Sequence, residues 1–342
     1  MSKAALAMRV NEAGAPLVPE RAETSFPSWG HARVKVLASG VCHADIGTAA
    51  AGGRDTQFPV TPGHEIAGVI AEVGEGVTRW QAGDRVAVGW FGGSCGQCRF
   101  CRGGDPVHCR DRKIPGLSYP GGWAESITVP ADALASIPEG MDVFDAAPMG
   151  CAGVTTFNAI RNSAAPAGGT VAVFGIGGIG HLAVQFAAKL GYQTIAIARG
   201  RQREHLAKQL GAVQYIDSEE QSPGEALAAL GGSDLIVSTA PTTEPVSELV
   251  AGLSVHGRLV MLGVDAGSIT LPVAQVVMNS QVITGSLPGA ANDTEETMRF
   301  AQLHGIKPMI ERMPLNKANE ALERIARGEP RFRIVLDPST NE

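Results

Sequence analysis

The chain has 342 residues, enough for roughly two domains of ordinary size, with 44% hydrophobic and 18% charged residues and no low-complexity tract. This composition excludes a disordered or fibrous protein. A net charge of -6, with no basic cluster on an amphipathic stretch, excludes a polyanion-binding surface, so no nucleic acid partner is expected.

Met1 to Val10 carries Lys3 and Arg9 around a short alanine-rich stretch and lacks the apolar core of a signal peptide, which predicts a cytoplasmic protein. In that reducing compartment clustered cysteines more often bind metal or perform chemistry than form disulfides. Short β-like runs follow at Ala32 to Leu37, Ile66 to Val73 and Arg85 to Val88, separated by Gly and Pro turns. They predict an irregular, mostly β domain.

Between these runs stand Gly40-Val41-Cys42-His43-Ala44-Asp45 and Pro62-Gly63-His64-Glu65, and Cys151 comes later in Met149-Gly150-Cys151-Ala152-Gly153. Cys42, His64 and Cys151 offer two thiolates and an imidazole, which leave a fourth position open on a tetrahedral zinc ion. Spacing alone does not join them, because a single Cys is commonly a small buried hydrophobe.

Cys95, Cys98, Cys101 and Cys109 form a C-x2-C-x2-C-x7-C pattern in a glycine-rich loop with little to build a hydrophobic core. Four thiolates at that spacing close around one zinc ion, and metal binding supplies folding free energy that the loop lacks. A disulfide-linked set or an iron–sulfur cluster also accepts this pattern, but nothing else in the chain suggests electron transfer. Four thiolates leave no open position, so this site is expected to be structural.

From Val171 the pattern changes to apolar strands about twenty residues apart: Val171 to Gly175, Thr194 to Ala198, Gln214 to Asp217, Asp234 to Ala240, Arg258 to Val264 and Gln281 to Leu287. Helical periods fill the gaps, such as Leu182, Phe186 and Leu190, so a doubly wound parallel sheet of six strands is predicted. The apolar run Val171 to Ala188 is long enough to span a membrane, but glycines and His181 interrupt it, and a strand, turn and helix is expected instead. The turn reads Gly175-Ile176-Gly177-Gly178-Ile179-Gly180. Between a strand and a helix it predicts a dinucleotide pyrophosphate loop, with Gly175, Gly177, Gly178, Ile179 and Gly180 around the phosphates.

The second strand ends Ala198-Arg199-Gly200-Arg201-Gln202-Arg203, without the acid that hydrogen-bonds a ribose 2′-OH. Arg199, Arg201 and Arg203 offer charge and bidentate donors to a 2′-phosphate, so NADP(H) is favoured over NAD(H); the alternative is a solvated helix start with NAD bound. The last segment ends in a strand-like Arg331 to Leu336. The expected division is 1–150 with 286–342 in one domain and 151–285 in the other.

Over essentially its whole length the chain resembles the zinc-containing medium-chain dehydrogenase/reductase family, the alcohol dehydrogenases and related cinnamyl alcohol dehydrogenases and bacterial aldehyde reductases. The motifs that carry the resemblance are Gly40-Val41-Cys42-His43, Gly63-His64-Glu65, the lobe Cys95 to Cys109, Cys151, and Gly175 to Gly180. It implies a GroES-like, mostly β catalytic domain joined to a Rossmann domain. It also implies that Cys42, His64 and Cys151 hold a catalytic zinc, with Asp45 on His64 and Glu65 behind the metal as an occasional ligand. His43 and Arg331 are expected near the cofactor pyrophosphate, Thr155 near the nicotinamide, and Trp90 and Phe91 in the substrate wall.

The implied reaction is hydride transfer between a nicotinamide cofactor and a primary alcohol or aldehyde, with two zinc ions per chain, one catalytic and one structural. After Cys42 the run Gly47-Thr48-Ala49-Ala50-Ala51-Gly52-Gly53 replaces bulky residues of yeast-type relatives, which points to substrates larger than ethanol. The alternative is a zinc-bearing relative acting on sugars, polyols or a conjugated C=C bond. Relatives usually carry a Ser or Thr two residues after the first cysteine ligand, and often a His further along, for proton relay; here those positions are Ala44 and Gly47. Expected partners are the small-molecule substrate and further copies of the chain, as dimer or tetramer, with no membrane.

Overall fold

The structure, a computed structural model, describes all residues except 1–3, 24–25, 51–57, 244, 265 and 341–342, and gives backbone only for 22 and 23. Met1 to Lys3 of the N-terminal stretch and Ala51 to Gly53 of the small-residue run therefore lie outside the described residues. The chain divides into two compact units. The first comprises Met1–Val154, Pro288–Leu303 and Lys307–Glu342, and the second Thr155–Leu287 with His304–Ile306.

The first unit is built on a seven-stranded sheet in the order Ile310–Pro314, Arg333–Asp337, His31–Val41, Ile66–Val73, Arg85–Val88 and Leu134–Ser136, with Ser126–Pro130 also paired to His31–Val41. The long strand His31–Val41 alternates in burial through Val34 and Val36, as a strand with one face on a core does, and is then buried continuously from Ala38 to Val41. Side chains from both faces cover that last stretch, and it leads directly to Cys42.

Trp123 is fully buried against Met8, Val41 and Leu336, and its indole N–H donates to the Gly40 carbonyl at 3.2 Å. Its ring also lies where a side chain at Gly63 would stand, and Gly63 has a φ of +103°, so both sterics and backbone favour glycine there. Trp123→Ala would cost roughly 3–5 kcal/mol and loosen the support of the segments that carry Cys42 and His64.

The second unit contains six parallel strands in the spatial order Gln214–Asp217, Gln193–Ala198, Thr170–Phe174, Ser233–Ser238, Leu253–Met261 and Val282–Gly285. Numbered along the chain this is 3-2-1-4-5-6, the order of a Rossmann sheet, with a switch point beside the first strand. The three central strands, Gln193–Ala198, Thr170–Phe174 and Ser233–Ser238, are buried almost continuously, as in a sheet covered by helices on both sides. Helix Gly180–Lys189 turns Leu182, Ala183, Phe186 and Ala187 inward at helical spacing. Val171 to Ala188 is thus a strand, a turn and a helix. No helix among the described residues is long and apolar enough to cross a membrane.

Candidate functional site

Three segments of the first unit converge on one buried cluster. Cys42 follows strand His31–Val41, and its N–H donates to Asp45 Oδ2 at 2.9 Å across the first turn of helix His43–Ala50. His64 and Glu65 precede strand Ile66–Val73, whose antiparallel register pairs Ser39 with Ile66 and so sets them beside Gly40 to Cys42. A side chain at Gly40 would occupy the place of the Glu65 carboxylate.

Cys151 comes from Met149–Gly153, a π-helical turn between helices Val143–Pro148 and Val154–Arg161. Such wide turns are frequent at functional sites because they redirect side chains out of the helical repeat. Gly150 lies so close to Gly89 that a Cβ would stand 2.8 Å from the Gly89 Cα, and its carbonyl accepts from Trp90 N–H at 3.1 Å. The ligand atoms of Cys42, His64, Glu65 and Cys151 all lie within 4.8 Å of one another.

His64 is held by Asp45, whose Oδ1 lies 3.2 Å from Nδ1, while Nε2 is buried with no hydrogen-bond partner. A carboxylate on Nδ1 keeps the proton there and leaves the Nε2 lone pair as a donor atom, the usual arrangement for a metal-binding imidazole. Hydrogen bonding from Cys151 holds the Cys42 thiol well below its ordinary pKa, against the effect of burial and with help from His64. Cys151 is pushed the other way by its hydrogen bond to Cys42 and by burial. Burial opposes a charged His64, yet Asp45 and Cys42 hold its pKa well above the usual histidine range. Two sulfurs, an orphaned imidazole nitrogen and adjacent negative charge fit a zinc ion.

The second cluster is the lobe. Cys98 Sγ lies 3.5 Å from Cys101 Sγ and 3.9 Å from Cys109 Sγ, and Cys95 Sγ lies 3.5 Å from Cys109 Sγ and 4.0 Å from Cys101 Sγ. These separations match the edges of a tetrahedron with metal–sulfur bonds of about 2.3 Å, or about 3.8 Å. All six cysteines are free thiols, so a disulfide-linked lobe is excluded. Backbone N–H groups of Cys95 and Cys98 point at the sulfurs of Cys109 and Cys95, both at 3.4 Å. A backbone hydrogen bond at Cys101 leads in lowering the Cys98 thiol to about 6, and burial raises Cys109 to about 11.

In the second unit, Gly175 takes a φ of +89° at the end of the first strand, and its N–H donates to Ile197 O on the neighbouring strand at 2.9 Å. Thr239 Oγ1 donates to Gly175 O at 2.7 Å and holds the turn from the fourth strand. Gly180 packs against the Gly175 carbonyl where no side chain fits, and a Cβ on Gly177 would meet open space. Among the described residues Gly177, Gly178 and Ile179 donate no backbone hydrogen bond, so their N–H groups at the start of helix Gly180–Lys189 are available to an anion. Ala198 ends the adjacent strand and is buried, Arg199 is exposed, and Arg203 is half-buried.

Residues 28–139 match the model of the alcohol dehydrogenase GroES-like domain, and residues 178–302 that of the zinc-binding dehydrogenase. The alcohol dehydrogenase patD of Penicillium expansum is 42% identical, over 95% of either chain. The chain belongs to the zinc-type medium-chain dehydrogenase/reductase family. An alcohol dehydrogenase of Geobacillus stearothermophilus is 35% identical over 94% of this chain and 96% of its own. Among solved structures, a cinnamyl alcohol dehydrogenase of Sorghum bicolor superposes with a TM-score of 0.90 at 30% identity over 99% of both chains. The protein CAD of Helicobacter pylori, complexed with NADP(H), gives 0.89 at 26% identity over the whole of both.

As a medium-chain dehydrogenase the protein has alcohol dehydrogenase/reductase activity. The two aromatic residues expected in the substrate wall lie in different surroundings from one another. Phe91 is buried and lines a cavity of about 480 Å³ with Trp80, Leu134 and Asp132, and none of the four residues of the Cys42 cluster lines it. Trp90 sits beside Cys151 through its bond to Gly150, with the Arg112 guanidinium 5.7 Å from its ring centre.

Arg331 is exposed, and its backbone N–H donates to Glu311 Oε1 at 2.9 Å. The arginine at the metal cluster is Arg333, fully buried and ion-paired with Glu65. Sequence reasoning missed it. Alternation along Arg331 to Leu336 could not have separated the two, because residues two apart share a face; what separates them is that the strand begins at Arg333 and Arg331 precedes it. His43 is exposed at the start of helix His43–Ala50, and Thr155 is buried in the second unit.

Proposed function

We propose that this chain is a zinc-dependent alcohol dehydrogenase or aldehyde reductase that prefers NADP(H) and acts on primary alcohols or aldehydes larger than ethanol. The observation that carries the reading is the buried Cys42, His64, Cys151 cluster, in which His64 Nε2 has no partner of its own. One zinc ion at that cluster and one at the four-cysteine lobe account for the donor sets. When bound at the first site, zinc supplies Lewis acidity toward an alcohol or carbonyl oxygen.

The remaining work falls to the protein's own groups. Asp45 fixes the His64 tautomer and ring plane, and its second oxygen ties down the Cys42 backbone, so one carboxylate orients two donors. Glu65 is anchored by Arg333 through one oxygen, while the other is buried without a partner and faces the cluster. The N–H groups of Gly177, Gly178 and Ile179 are suited to bind a pyrophosphate. At the end of the second strand Ala198 replaces an acid, and exposed Arg199 carries no ion pair among the described residues, which supports a 2′-phosphate there.

Gly47, exposed on the helix after Cys42, brings no side chain, which supports a substrate wider than ethanol. Six free thiols suit a cytoplasmic setting. A homo-oligomer is supported by the edge strand Val282–Gly285 and the neighbouring exposed Val273, Val277 and Met278, an apolar edge that a second chain can cover. Steady-state assay of aliphatic and aromatic alcohols and aldehydes with both cofactors tests the reading. Turnover confined to polyols, sugars or enones would overturn the substrate class, and preference for NADH would overturn the cofactor.

A further inference from the structure

The turn that follows the second strand of the Rossmann sheet is held from the third strand by groups at both of its peptide faces. Gly200 lies in the left-handed region at a φ of +68°, buried between exposed Arg199 and Arg201. Its N–H donates to Asp217 Oδ1 at 2.8 Å, and its carbonyl accepts from the Tyr215 hydroxyl at 2.6 Å. Tyr215 and Asp217 are two residues apart on strand Gln214–Asp217 and therefore project to one side, the side on which the turn folds over. Asp217 is itself fixed, because the same oxygen accepts from Glu219 N–H at 3.0 Å.

The loop after this strand holds Arg201 as well. Glu220 takes Arg201 Nε at 3.1 Å and Nη2 at 2.6 Å, a bidentate pair that commits the guanidinium. Arg199 carries no ion pair among the described residues. Of the two arginines flanking Gly200, one is spent on the third-strand loop and the other is left facing solvent beside the end of the second strand.

Resting on the NADP(H) reading above, we infer that Tyr215 and Asp217 are positioning residues for cofactor choice: by clamping both sides of Gly200 they set the turn that presents Arg199 to a 2′-phosphate. A glycine in the left-handed region has wide conformational freedom, so without the clamp Arg199 samples many directions and loses preorganisation for the phosphate. The adenosine part of the cofactor depends on other contacts and is indifferent to the clamp.

The test is calorimetric binding of 2′,5′-ADP and of 5′-AMP to the full-length wild type and to Tyr215→Phe, which keeps the ring and removes only the hydroxyl. The expected result is that wild type binds 2′,5′-ADP more tightly than 5′-AMP. Tyr215→Phe should then weaken 2′,5′-ADP about fivefold, the loss of one hydrogen bond, and leave 5′-AMP unchanged. In turnover the same variant should raise KM for NADPH and leave kcat and the KM for NADH as they were. Wild type binding the two fragments equally overturns the NADP(H) reading. Wild type that discriminates, with Tyr215→Phe discriminating just as well or losing both fragments alike, overturns the clamp and leaves that reading intact.

Discussion

Arg333 and Glu65, 268 positions apart in sequence, form an ion pair in which the two side chains are 5% and 0% exposed, directly behind the Cys42, His64, Cys151 cluster. Burial pushes the Glu65 carboxyl up to about 7, against the pull of the Arg333 guanidinium. Neither charge is tolerable alone in that surrounding. Arg333→Met should therefore cost about 3–5 kcal/mol in urea unfolding at matched zinc content, and the double variant with Glu65→Gln should recover part of the loss. A single variant as stable as wild type would show that the pair is not what holds Arg333 inside.

Metal content separates the two cysteine clusters. Purified protein should contain two zinc ions per chain by elemental analysis, and Cys151→Ala should lose one of them together with turnover. Cys98→Ala should act through stability, because it opens a four-thiolate site whose binding energy helps to fold the lobe. Full activity in Cys151→Ala would rule out the catalytic centre proposed here.

The arginines after the second strand should differ from one another. Arg199→Ala should weaken NADPH by about 1.5–3 kcal/mol, the range for a charged hydrogen bond, and leave NADH nearly unaffected. Arg201→Ala should change the NADPH to NADH ratio far less, since its guanidinium is already bound by Glu220. Fluorescence titration of the reduced cofactors measures both. Equal loss of the two cofactors in Arg199→Ala would mean that Arg199 serves a solvated surface only.

Proton transfer offers a test of a departure from the family pattern. Ala44 and Gly47 supply no hydroxyl or imidazole and are exposed, and the buried Thr48 hydroxyl on the same helix points back to the Ala44 carbonyl at 3.4 Å. Ala44→Ser should speed alcohol oxidation or shift its pH profile in pre-steady-state measurements with saturating cofactor. Superimposable profiles, with no solvent isotope effect in either enzyme, would show that the missing hydroxyl is immaterial.

Glu311 gives a pH dependence that involves none of the residues of the two metal clusters. It accepts from Arg331 N–H and pairs with Arg324 at 2.6 Å, and these contacts hold its pKa below the ordinary glutamate value. A depressed folded-state pKa stabilises the protein above the unfolded value of about 4.3, and that contribution is lost as pH falls through the folded one. The stability gap between wild type and Glu311→Gln should therefore be constant near neutrality and close at acid pH. Urea unfolding across that range reads it, and a gap that widens on acidification would reverse the sign.

Elements with a local signal can be read from the chain alone. The six strands of the second unit, the glycine turn after Phe174 and the four-cysteine lobe were legible because periodicity, turn chemistry and close ligand spacing are read within a few residues. Resemblance named Cys42, His64 and Cys151, which spacing alone did not join. Long-range packing is what brings those three together through strand register and a π-helical turn, turns Arg333 rather than Arg331 inward, sets Phe91 on a separate cavity, and pairs Arg201 with Glu220. Each of these depends on which side chain meets which across long sequence separations. Pairing of strands and burial of charge select among neighbouring residues that local sequence leaves nearly equivalent.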